Sequence, residues 1–148
     1  MNKYYDIRGF IPDPKYFVLQ EFVPPDIYEK YKDKAWRFID TRILISVACL
    51  RYNLKIPLVI NNWHIRGNRQ YCGFRPPDCK EGADLSSHKR GSALDVISSQ
   101  MEAEKIRQHI LDNPHLYPYV TYLEGKVSWT HMECSNLGNK EGIYVFNP

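Results

Sequence analysis

Hydrophobic residues change their spacing partway along this chain, and that change narrows the fold more than any motif does. Behind Asp40, the residues Ile43, Val47 and Leu50 recur at helical spacing, with Leu44 widening the stripe. A helix is therefore predicted from Asp40, whose carboxylate can accept a bond from an orphan N–H at its start. Beyond residue 57 the apolar residues gather instead in short β-branched runs: PLVIN (57–61), ALDVI (93–97) and GIYVF (142–146). The first of these is expected to be a strand buried on both faces. YVTYLEGKVSWTHMEC (119–134) reads as a hairpin, two strand-type runs joined around Gly125-Lys126. Helices first and then mainly strands, with no βαβ alternation, predicts an α+β fold whose antiparallel sheet is flanked by helices.

The remaining stretches fit that frame. Residues 1–24 read as an irregular arm punctuated by proline, and PPDIYEKYKD (24–33) as a short helix, since proline is tolerated in a first turn. Ser99 and Glu102 form a predicted capping box for a helix to about residue 112, which Asn113-Pro114 ends. Residues 62–85 show neither period, and a loop that long in a compact domain is usually functional. The 148 residues are expected to form one domain.

Composition closes several alternatives. A formal charge of +3 without a basic cluster argues against a nucleic-acid binder. No apolar segment follows Lys3, so no export signal is expected, and the chain is read as made in the cytoplasm. The longest apolar run, ILISVACL (43–50), is far short of the roughly 20 residues of a membrane span, so no membrane insertion is expected. Cys49, Cys72, Cys79 and Cys134 are then read as free thiols in a reducing compartment.

The stretch SSHKRGSALDV (86–96) carries the chemistry. A loop turning at Gly91 can bring His88 to Asp95 on the strand that follows, and His131 lies in the second strand of the predicted hairpin. Two imidazoles and one carboxylate suit Zn2+ and leave a fourth position for water, as catalytic zinc sites do. The plainer alternative is a solvated His88, a turn or cap role for Asp95 and a hydrogen-bonded core His131. Cys72, Cys79 and Cys134 with a histidine would make a rival site, although their spacing is unlike a zinc knuckle.

Ser86, His88, Gly91, Ala93 and Asp95 match the SxHxxGxAxD motif of the D-Ala-D-Ala carboxypeptidase-like zinc peptidases, whose fold is shared with the hedgehog signalling domain. WTH (129–131) resembles the family's WxH strand, and the stretches 17–28, 38–51, 59–63 and 73–83 resemble its small bacteriophage members. The resemblance implies His88, Asp95 and His131 as zinc ligands and Arg75 as the arginine that grips substrate beside the scissile carbonyl. Ser86 is expected to hydrogen-bond within the motif loop.

One position departs from the pattern. The family commonly carries an acid three residues before the last histidine, where this chain has Ser128. Two carboxylates could serve as the general base instead. Glu133, two residues past His131, shares its face on a regular strand and better suits a group that orients a ligand. Glu124 would lie about 13 Å from His131 if Gly125-Lys126 made a tight turn, but a wider turn could fold it back over the metal. The hedgehog domain resembles this chain in having a glutamate there, so Glu124 is the expected base. Trp129, Tyr71 and Trp63 are candidate walls of the substrate site.

The activity so implied is a zinc metallopeptidase of the D,D- or L,D-carboxy- or endopeptidase type. It would hydrolyse peptidoglycan stem peptides in the manner of a phage or prophage endolysin, reaching the cell wall after lysis, holin release or virion delivery. The alternative is a non-catalytic zinc-binding module of the same fold, with a binding or virion-structural role. A metal-dependent nuclease also uses His and Asp, but the basic stripe it needs is missing.

Overall fold

The computed structural model describes residues 10–138 and 141–148. The fold is α+β. Its helices are α1 (Pro25–Tyr31), α2 (Thr41–Leu54) and α3 (Ala103–Asp112). Its strands are β1 (Ala93–Val96), β2 (Tyr122–Glu124), β3 (Thr130–Glu133) and β4 (Tyr144–Phe146), in the spatial order β1-β3-β2-β4.

The α2 helix begins as its sequence dictates. Asp40 accepts a bond from the Arg42 N–H at 2.9 Å, and Ile43, Leu44, Val47 and Leu50 are buried along one stripe. Across the core, α3 contributes Ile106 and Ile110 while the sheet contributes Leu94, Val96, Leu123 and Met132. The end of the N-terminal arm also belongs here, since Phe17, Leu19, Phe22 and Val23 are buried in the same cluster.

Several expectations need correction. The sheet is mixed, because β4 pairs parallel to β2 while β1–β3 and β2–β3 are antiparallel. β4 lies on the outer edge of β2, opposite in direction to β3 and so aligned with β2. PLVIN is no strand: it makes a single antiparallel bridge, Val59 with Ile97. Its neighbouring backbone groups are taken elsewhere, the Asn61 N–H by the Glu21 carbonyl and the Ile60 carbonyl by Arg69 Nε. The α3 helix starts at Ala103 with Glu102 as its cap residue and no side-chain capping bond, so the Ser99–Glu102 box does not form.

The β2–β3 connection is also wider than a two-residue turn. Five residues (125–129) separate the strands, and the register pairs Tyr122 with Glu133 and Leu123 with Met132. Arg107, buried on α3, holds this connection by donating to the carbonyls of Trp129 (2.8 Å) and Val127 (3.1 Å). Among the described residues no helix is long and apolar enough to cross a membrane.

Candidate metal centre

Each of the three candidate ligands is set by a different piece of backbone. His88 lies in a 3-10 turn, Ser87–Arg90, that ends on Gly91 at φ +68. A Cβ at Gly91 would stand 1.8 Å from the Phe38 carbonyl oxygen, so the turn needs glycine both for its left-handed backbone and for this close approach. Asp95 and His131 are direct partners in the β1–β3 ladder. Alternation along the strands sends Leu94 and Met132 into the core and puts Asp95, His131 and Glu133 on the opposite face.

The loop of residues 62–85 completes the surround. Arg69 ties it to β1 by donating to the Asp95 carbonyl at 2.8 Å, and the Asp95 N–H donates to the Cys72 carbonyl at 2.8 Å. One residue on, the Gly73 carbonyl accepts from His88 Nδ1 at 2.8 Å. Because a carbonyl can only accept, His88 carries a proton on Nδ1 and turns Nε2 inward. On the other side, His131 Nε2 donates to Glu133 Oε2 at 3.1 Å, and its Nδ1 faces inward.

Three ligand atoms therefore converge. His131 Nδ1 is 2.8 Å from Asp95 Oδ1, His88 Nε2 is 3.2 Å from the same oxygen, and the two imidazole nitrogens are 3.3 Å apart. Ligand atoms around a tetrahedral zinc ion with bonds of about 2.0–2.1 Å lie roughly 3.3 Å from one another. All three residues are buried, and the group could hold a metal ion. Among the described residues no cysteine belongs to such a group, and all four cysteines are free thiols.

The electrostatics favour a cation at the same point. Burial acts to raise the Asp95 carboxyl, but hydrogen bonds from His131 and His88 hold it well below the usual carboxylate range. Burial pushes His131 down, yet its bonds to Asp95 and Glu133 outweigh that and carry it up to about 9. Glu133 is lowered, since the His131 bond overcomes its burial. Without a metal, the positive charge this cluster calls for is supplied by a proton on His131. A divalent ion among the three inner atoms would take its place, so the donor set fits the metal.

A cavity of about 450 Å³ opens beside the cluster. Arg75, Glu124, Trp129 and Glu133 all line it, together with Leu85 and Phe146. Arg75 donates through Nη2 to Asp95 Oδ2 at 3.2 Å and through Nε to the Tyr71 carbonyl at 2.7 Å. Glu124 reaches the cavity because the wide connection places it one rung beyond the Leu123–Met132 pair, beside His131. Ser86 also borders the cavity, but its hydroxyl makes no capping bond to the turn that follows.

Other candidates lie elsewhere. Ser128 is exposed and borders a separate cavity with Met101 and Arg107. Trp63 donates to the Val23 carbonyl at 2.9 Å and packs on Tyr28, and Tyr71 contributes its carbonyl, not its ring, to the site's support. His64 is half-buried beside Trp63 and is not part of the cavity wall. Phe146, whose ring meets His131 edge-on at 5.8 Å, was not legible as a site residue, because a terminal strand carries no motif. Gly73 was likewise hidden, since only its backbone oxygen acts. No protein-family model, no curated protein and no solved structure matches this chain.

Proposed function

We propose that this chain is a zinc-dependent peptidase that hydrolyses amide bonds in peptidoglycan stem peptides, as the phage or prophage endolysin-like enzymes its motif resembles do. The observation that carries the reading is the convergence of three inward ligand atoms, each on a side chain held by an outward bond. His88, Asp95 and His131 would hold the ion. When bound, zinc supplies Lewis acidity to the amide carbonyl and brings the pKa of a water toward about 7.

The protein's own groups would do the rest. The Nη1 group of Arg75 is not used in its bonds to Asp95 and Tyr71, and it is the donor for the substrate carbonyl as charge develops there. Glu124 takes a proton from the attacking water and delivers it to the leaving amine. Trp129, Phe146 and Leu85 give the substrate an apolar wall. An enzyme of this kind reaches the wall through lysis, holin release or delivery in a virion.

One observation favours a second reading, a non-catalytic zinc-binding module with a binding or virion-structural role. The family's usual acid position is Ser128, and it borders a different cavity. Digestion of purified peptidoglycan by the zinc-loaded protein separates the two. New amine termini that vanish in His88→Ala support the peptidase, whereas bound zinc with no bond cut leaves the module.

A further inference from the structure

His131 is held from behind by a chain of groups that the ligand set alone does not explain. Glu133 Oε2 accepts from His131 Nε2. The hydroxyls of Ser87 and Ser135, which come from different segments, the His88 turn and the residues after β3, stand beside the same carboxylate and favour its ionised form. Those two hydroxyl oxygens lie 3.1 Å apart. Arg90 Nη2 donates to both, at 3.2 Å to Ser87 and 3.1 Å to Ser135, while Nη1 is anchored on the Leu85 carbonyl at 3.1 Å.

The direction of this chain follows from what each group can do. A guanidinium only donates, so both serine oxygens accept from Arg90; one hydroxyl proton lies between the two serines and the other is left to point at Glu133. An ionised carboxylate only accepts, so Glu133 also takes the proton on His131 Nε2. Donors thus point at Glu133 from both sides, and the inward Nδ1 of His131 is left as the atom that faces Asp95 and His88.

We propose that Arg90, Ser87 and Ser135 are positioning residues which, through Glu133, fix the ring orientation and tautomer of His131 for metal binding. The proposal rests on the zinc-site reading above. Groups that orient a metal ligand from behind typically change metal affinity by 10- to 100-fold when removed. Arg90 is exposed and Ser135 half-buried, so neither is needed to fill the core.

Zinc affinity measured by chelator competition tests this on the full chain. Ser135→Ala and Arg90→Ala are each expected to weaken Zn2+ binding about tenfold, with the thermal midpoint of the metal-free protein little changed. Ser135→Thr, which keeps the hydroxyl, should bind zinc nearly as wild type does. The double variant Arg90→Ala/Ser135→Ala should lose little more than the weaker single variant, because both act through one carboxylate. In the Co2+-loaded protein, the exchangeable ring N–H proton of one ligand histidine should exchange faster with water in Ser135→Ala. Unchanged zinc affinity in both single variants would overturn the proposal, as would equal losses in Ser135→Thr and Ser135→Ala. If Arg90→Ala does not fold, the Ser135 pair decides alone. A wild-type protein that takes up no zinc would instead sink the metal reading itself, and this chain with it.

Discussion

Asp95 and His131 face each other across the β1–β3 ladder, and the register that pairs them leaves Oδ1 and Nδ1 2.8 Å apart. Backbone pairing thus sets the distance between two candidate ligands before any metal arrives. His88 joins them from the Ser87–Arg90 turn, with Gly91 providing the reversal.

Replacing the charge in that pair should therefore be costly to metal binding and mild for the fold. Asp95→Asn is expected to lower zinc affinity by at least about 100-fold, the scale at which a lost charge at close range acts, with the far-UV spectrum unchanged. In the metal-free wild type, His131 holds its proton to about 9. Its unfolded value is near 6.5, so the stabilisation it brings is complete below that pH and is lost as pH rises through 9. Zinc must displace this proton. Affinity should accordingly climb with pH until about 9, and loading at pH 7.5 should release close to one proton, readable by calorimetry in buffers of different ionisation heat.

Glu124 and Ser128 make a matched pair of tests. Glu124→Gln should retain zinc yet reduce the rate on wall fragments by about 100- to 10,000-fold, the range for a lost general base. Adding Ser128→Glu to that variant should restore nothing, since residue 128 borders the cavity beside Arg107 and not the metal cluster. Recovery in the double variant would show that the acid belongs where the resembling family has it. Full activity in Glu124→Gln alone would remove it as the base.

Away from the site, Glu21 is buried and its carboxyl is pushed up to about 7, by desolvation that outweighs its bonds to the backbone at Val18 and Ile60. The folded chain keeps a proton that the unfolded chain releases above about pH 4.5. Stability should then fall as pH rises from 4.5 to 7 and level off beyond, a loss on the order of 2 kcal/mol after allowance for solvent screening. Urea denaturation across that range should show the decline in wild type. In Glu21→Gln that component should be absent.

Gly91 offers a fourth test. Alanine there meets a left-handed backbone, worth about 1–2 kcal/mol, and a Cβ only 1.8 Å from the Phe38 carbonyl oxygen. Gly91→Ala should lose at least about 2 kcal/mol of stability, and its zinc affinity should fall with it, because the turn carries His88. An alanine variant as stable as wild type would show that the turn can shift without cost.

The helices α2 and α3 and the strand at 93–96 were legible in the residues themselves, while His88, Asp95 and His131 were named together by the motif resemblance. The helices depend on local chemistry, an apolar stripe at helical spacing and a capping Asp40, whereas the meeting of Asp95 with His131 depends on the β1–β3 pairing. The short strands were legible as elements but not as a sheet. That β4 runs parallel to β2, and that PLVIN makes one bridge instead of a strand, depends on which distant backbone groups claim their hydrogen bonds. The same is true of the site's second layer. Gly73 acts through a carbonyl, and Arg75 and Phe146 reach the cluster only after the loop and the last strand have folded over it. Glu124 and Glu133 both border the cavity, and Glu124 comes there only through the register that Arg107 and the five-residue connection hold. Residue type and spacing determine which chemistry this chain can offer. Its placement was decided by long-range pairing, whose energy depends on partners far apart in sequence and so leaves no local period to read.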